Sequence, residues 1–158
     1  MTAQEFEELK KFLTKTPAAV RELTAGLTES QTRWKPSATE FSVVENICHL
    51  RDIEEEGYAT RIRRILMEDM PFLPDLDGSR LALERRYNEQ EVEAALASFT
   101  LAREENMQTV RSLSAEQLTR GGTFEQIGPV TLQRLLEMMQ EHDRAHLLEL
   151  EDVRRKVG

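Results

Sequence analysis

Four amphipathic stretches, separated by segments rich in Pro and Gly, limit what this chain can fold into. Thr2-Ala3-Gln4-Glu5 has the spacing of a capping box, in which a hydroxyl and a carboxylate satisfy the free N–H groups of a helix start. Phe6, Leu9, Phe12 and Leu13 then share one helical face. Thr16-Pro17 either kinks this helix or opens a new turn with Pro in its first position. The apolar pattern continues through Val20, Leu23 and Leu27 to a loop holding Trp34-Lys35-Pro36. Ser42-Val43-Val44-Glu45 is a second capping box and predicts a long helix to about Met70, ended by the stretch Pro71 to Gly78. A third helix is expected from Asn88 to about Leu113, with Val92, Leu96, Phe99, Val110 and Leu113 on one stripe. Ser114-Ala115-Glu116-Gln117 starts a short turn, and Gly121-Gly122 and Gly128-Pro129 mark the next loop. The last helix runs from Thr131 to about Arg155. No stretch sustains a period-2 alternation, so no sheet is expected. The pattern predicts an all-α four-helix bundle, one domain over residues 1–158.

The histidines carry the chemical signal. Only three are present, and His142 and His146 stand four residues apart, one turn on the same helical face. Stepping ~100° per residue from Met139 puts both on the stripe of Leu132, Leu135, Leu150 and Val153. Buried imidazoles need partners for their nitrogens, and one shared metal ion would serve both. His49 is less obvious. The apolar face of its helix is Val44, Ile47, Tyr58, Ile62 and Ile65, whereas His49 lies among Glu45, Asp52, Glu56, Thr60 and Arg63. That pattern describes either a solvated face or the wall of a polar cleft. Arg103 and Asn106 interrupt the third helix's apolar stripe and point to a polar cavity between helices.

Charge and cysteine content narrow the function classes. The formal charge of −8 and pI near 5.0 disfavour nucleic acid and anionic membranes as partners. The cluster Arg61, Arg63 and Arg64 is offset by Glu54, Glu55, Glu56, Glu68 and Asp69 and reads as a solvated helix face. The first turns are amphipathic and acidic, so no secretory leader is expected. The single Cys48 excludes an internal disulfide and suits a reducing cytoplasm; it reads as a small buried residue. Apolar residues beyond the main stripes, Leu66, Met138, Leu147 and Leu148, are expected to be covered either by a second copy in a homodimer or by the N-terminal segment and the loop Met70 to Leu76.

Several phrases together resemble the DinB/YfiT-like superfamily of metal-dependent enzymes, over about Phe12 to Val153. They are Trp34-Lys35-Pro36, the run Phe41 to Leu50, Arg61-Ile62 with Met70 to Pro74, Phe99 with Arg103, and Gly128 to Leu132 leading to His142-Asp143-x-x-His146-Leu147. The resemblance implies a four-helix bundle, often dimeric. It also implies a metal site made by His49, His142 and His146. Several members are transferases or isomerases that use a low-molecular-weight thiol, and many have no established activity. The chain departs from the family's common pattern in having Glu149 where a Gln is frequent, and no His in Thr123 to Ile127.

Three imidazoles from two helices leave one position open on a tetrahedral ion, the mark of a catalytic rather than a structural site. Nitrogen ligands suit Zn, Ni or Co. Such an ion acidifies bound water for hydrolysis of a small-molecule substrate, or holds a thiol as thiolate for S-transfer. Glu45, Asp52, Glu56 and Asp143 are the acids available as a base. Glu45, Asp52 and Arg103 are expected to wall the cleft, with Arg103 holding a substrate carboxylate or phosphate. A non-catalytic stress-response or interaction protein with an idle metal site is the alternative.

Overall fold

Hydroxyl caps begin most of the helices. The computed structural model describes Met1–Gly158. Thr2 and Glu5 form the capping box that starts α1, Ala3–Thr24. Thr28 and Gln31 start the short α2, Glu29–Arg33, and Ser42 and Glu45 start α3, Val43–Asp52. The chain then passes without a break through a π-helical turn, Ile53–Tyr58, into α4, Ala59–Met67. The long second helix expected from the sequence is therefore continuous, but contains a widened turn in which Ala59 N–H bonds Glu54 O. After β1, Phe72–Leu73, come α5, Gly78–Glu84, and a 3₁₀ turn, Tyr87–Glu89. The third long helix, α6, spans Val92–Arg111, so it starts four residues later than expected. Asn88 is instead used as a bracket, its amide bonding Ser42 Oγ at 2.5 Å and Arg33 O at 3.1 Å. Ser114 and Gln117 cap α7, Ala115–Leu118. Strands β2, Gly121–Phe124, and β3, Gly128–Thr131, precede α8, Leu132–Val157, capped by Thr131.

The expectation of no sheet is corrected. β1 pairs parallel with β2, and β2 antiparallel with β3. These strands have two to four residues and contain glycines that close packing demands: a Cβ at Gly121 would sit 2.4 Å from Val130 O. Alternation cannot register over so short a run. Leu73, Phe124 and Val130 press from this sheet into the bundle.

The four long rods, α1, α3–α4, α6 and α8, enclose two hydrophobic clusters. One contains Leu13, Tyr58, Ile62, Met107 and Met139; the other contains Val20, Ile47, Leu50, Phe99 and Leu150. On every rod buried polar residues stand where the two clusters meet: Thr16 on α1, Glu54 in the π turn, Arg103 and Asn106 on α6, Asp143 and His146 on α8. The core is thus two apolar halves with a polar layer between them. Arg103 is its centre. Nε and Nη2 donate to Glu54 at 2.9 and 2.7 Å, and Nη1 and Nη2 to Asp143 at 2.7 and 3.0 Å. Nη1 also bonds Leu13 O at 2.8 Å. Pro17 makes that carbonyl available, because a proline has no N–H to return to residue i−4. The helix continues through Pro17 rather than restarting there. Thr16 Oγ1 donates to Asp143 at 2.7 Å and Asn106 Nδ2 to Glu54 at 2.7 Å, so each carboxylate also has a neutral donor.

Leu66 and Met138 pack on the first cluster and Leu147 on the second, which leaves Leu148 exposed. Most of the apolar surplus that suggested a partner face is therefore covered by the chain itself. No helix is long and apolar enough to cross a membrane.

Candidate metal centre

At the rim of the polar layer, α3 and α8 bring three histidines together. Nitrogens of His49, His142 and His146 all lie within 4.8 Å of one another. His49 Nε2 and His142 Nε2 are 3.0 Å apart, and the rings of His142 and His146 have centroids 4.5 Å apart. A tetrahedral ion with bonds of 2.0–2.1 Å would hold its ligand nitrogens about 3.3–3.4 Å apart. The His49–His142 pair, at 3.0 Å, is slightly tighter than that spacing, and the whole set lies within 4.8 Å. His146 Nδ1 is 2.8 Å from Asn46 Oδ1. Asn46 Nδ2 in turn donates to Ser42 O at 3.0 Å, which fixes the amide's orientation. The Nδ1 of His146 is thereby the protonated nitrogen, and its Nε2 lone pair remains for an ion. The carboxylate of Glu149, 3.5 Å from the same Nδ1, is held below its ordinary range by His146.

Electrostatics keep the rings of His49 and His142 uncharged. Burial, then the charge of His146, lowers His49 to about 4. Burial and the two neighbouring imidazoles lower His142 well below the ordinary histidine range. Neutral imidazoles are what a metal requires. His49 Nδ1 is buried without a hydrogen-bond partner. The donor set, its tautomer control and the neutral rings of His49 and His142 all fit a divalent transition metal.

His49 stands on a polar face of α3, yet that face is covered. The segment leading into α5 lies over it, and a Cβ on Gly78 would be 2.7 Å from His49 Cε1. Only glycine lets the backbone approach the ring so closely. The three rings line a cleft of about 570 Å³ with Tyr58, Arg61, Asp75, Leu76 and Phe124.

The other expected site residues are placed elsewhere. Glu45 caps α3 through Ser42 N at 3.0 Å and pairs with Lys35 at 2.8 Å. Asp52 accepts from Tyr87 Oη, from Arg51 at 2.8 Å and from Arg85 at 2.9 Å. Burial pushes its carboxyl up, but these donors outweigh burial and hold it below the usual range. Arg103 is spent in the polar layer. Glu45, Asp52 and Arg103 therefore do not wall the histidine cleft. The acids Glu56 and Asp143 are no closer to use: Glu56 is paired with Arg85, and Asp143 with Arg103. Two arginines do line the cleft: Arg134, which is paired with Glu141, and Arg61, whose reading as part of a solvated face is corrected, since it is 5 % exposed. Its position three residues after Tyr58 and four before Ile65, on the buried stripe, is the signal that marks it. Cys48 is buried, and burial raises its thiol to about 11, so it behaves as an inert core residue.

A helical bundle with three inward-facing imidazoles defines a class of fold in which metal sites are built between helices. The chain belongs to the DinB superfamily, whose family model matches residues 13–150. Its structure is similar to that of YfiT from Bacillus subtilis, with a TM-score of 0.91 and 18 % identity, over 99 % of this chain and 89 % of that one. That protein is described as a "probable metal-dependent hydrolase with an unusual four-helix bundle topology". At this identity the likeness establishes the fold. No curated protein sequence matches the chain.

Proposed function

We propose that this protein is a metal-dependent hydrolase of small molecules, with His49, His142 and His146 as ligands of one Zn, Ni or Co dication. The observation that carries the reading is the convergence of three imidazoles, one of them fixed in its tautomer by Asn46, at the floor of an open cleft. Its likeness to a protein described as a metal-dependent hydrolase supports it. When bound, a dication on three nitrogens acidifies water in its open position and polarises a carbonyl placed there.

The chain's own residues have separate tasks. Asn46 and Ser42 keep His146 Nε2 free to donate its lone pair. Burial keeps His49 and His142 unprotonated across the physiological range. Ile53, Tyr58, Leu76 and Phe124 give the cleft apolar sides that strip water from a bound substrate. The S-transfer chemistry implied by the family would use the same open position, so it belongs in the same test.

Protein purified without a metal-affinity tag should carry about one equivalent of a transition metal that a chelator removes. It should cleave an activated ester in a metal-dependent manner, and His146→Ala should lose both metal and activity. Absence of bound metal would overturn the reading and leave the idle-site alternative. Metal with thiol transfer to an electrophile but no hydrolysis would replace hydrolase by S-transferase.

A further inference from the structure

The bundle contains two buried arginines with opposite surroundings. Arg103, 2 % exposed, has all five of its N–H groups engaged by two carboxylates and a carbonyl at 2.7–3.0 Å. Arg61, 5 % exposed, is nearly unpartnered. Its Nε is buried and makes no hydrogen bond. Nη2 reaches Pro74 O only at 3.4 Å and Asp75 Oδ1 at 3.6 Å, and Asp75 is itself half exposed. Nη1 has no bond and lies over Gly57, where a Cβ would stand 3.3 Å away. The guanidinium is carried by aromatic faces, with Cζ 4.6 Å from the Phe124 ring centre and 5.5 Å from that of Tyr58. Ring faces stabilise the cation but accept none of its in-plane donors. Burial lowers the pKa of Arg61, and Tyr58 and Asp75 offset this only in part. A buried cation with idle donors is unfavourable unless an anion completes it.

The location says where such an anion would come from. Arg61 shares the cleft with the three histidines, and the Tyr58 ring stands between, 6.0 Å from the ring of His142. A small molecule can therefore touch Arg61 at one end and the imidazole cluster at the other. We propose that Arg61 is the specificity-determining residue of this cleft, and that the substrate carries a carboxylate which takes two parallel hydrogen bonds from its guanidinium. The planar fork of Arg matches the two oxygens of a carboxylate. Asp75, at 3.6 Å, is the weak internal pairing that an incoming carboxylate displaces. The inference deepens the hydrolase reading, because it names the substrate class of the same cleft.

Side-chain N–H signals of arginine in the chelator-treated, ¹⁵N-labelled full chain provide a test that needs no activity. The Arg61 signal is identified by its loss in Arg61→Lys. Succinate should shift it saturably and bind at least about ten times more tightly than the neutral match succinamide, while the Arg103 signal stays still. Arg61→Lys should weaken succinate by about tenfold and Arg61→Met should abolish the preference. An unmoved Arg61 signal, or equal binding of succinate and succinamide, would show that Arg61 is a stacked structural cation and overturn the proposal. Binding of inorganic phosphate but not succinate would overturn the carboxylate class. Because binding is read on the wild-type protein, misfolding of Arg61→Met does not hide the answer, and the preference for succinate over succinamide in the wild type needs no assignment. Metal content measured on the untreated samples decides the hydrolase reading separately. Succinate binding without any metal would keep the anion site and remove the hydrolase, and the reverse result would do the opposite.

Discussion

Replacing Arg103 by Met should destabilise the protein by about 3–5 kcal/mol, the usual cost of breaking a buried ion pair from one side. The structure places the effect at the high end. Glu54 is 1 % exposed and Asp143 0 %, so neither carboxylate can turn to water. After the substitution each keeps a single neutral donor, Asn106 for Glu54 and Thr16 for Asp143, and Leu13 O loses its side-chain partner. Met has a similar length and removes little packing volume, so the loss is electrostatic rather than a cavity effect. In urea this corresponds to a midpoint lower by roughly 2 M at an m-value of about 2 kcal/mol/M, with m unchanged. Removing all three charges, as Arg103→Met with Glu54→Leu and Asp143→Leu, should recover most of the loss, because the unpaired charges are then gone. A single-variant cost below about 1 kcal/mol, or a triple variant no more stable than the single, would refute the assignment of this layer as an ion cluster sealed from solvent.

Two further outcomes follow from the histidine cluster. The metal-free protein should lose stability as pH falls from about 7 to about 4. His49 and His142 bind protons in the unfolded chain below their ordinary 6.5, but in the folded chain only at lower pH, to about 4 for His49. The unfolded state therefore holds more protons in this window, and stability rises with pH at up to ~1.4 kcal/mol per unit per histidine. Urea titrations across pH check it: His49→Gln should flatten the slope, and a flat wild-type profile would contradict the burial of neutral His49 and His142. Asn46→Ala should lower metal affinity by about 10–100-fold in a chelator competition while the bundle stays folded. Unchanged affinity would mean that Asn46 does not set the His146 tautomer.

How much of this could be read from the sequence depended on what periodicity reports. It reports how one helix faces its neighbours, so the four rods, most caps, and His142 with His146 were legible. The same arithmetic places Asp143 only about 40° from Met139, on the buried stripe, although acids are exposed by default. Glu54 was hidden likewise, in an acidic run whose other members, Glu55 and Glu56, are exposed. His49 was not legible from its helix. A loop covers its polar face, and Gly78 permits that cover; no helical pattern records what a distant loop will overlie. Only the family resemblance singled it out. Arg103 was legible as an anomaly on its stripe, but an anomaly does not distinguish a cleft residue from a sealed ion cluster. The distinction lies in its partners, which come from the two rods of Glu54 and Asp143.

The ion cluster and the histidine cluster occupy one layer of the bundle, and this has a consequence for function. Asp143 follows His142 directly, and its two bonds to Arg103 fix the rotation of α8 about its axis. Since neighbouring helical residues point ~100° apart, holding Asp143 toward α6 also sets the direction of His142, and through the helix that of His146. Apolar side chains would fill the layer as densely, but they would not select one rotation among similar ones. Buried polar groups have such a register role in some proteins, and a register role for this layer has a testable outcome. It predicts a separation of two measurements on the triple apolar variant. Its stability should stand well above that of Arg103→Met, whereas its metal affinity should fall below wild type, although none of the three histidines is changed. Wild-type metal affinity in a stable triple variant would show that apolar packing alone orients α8, and that the ion cluster contributes nothing to the site.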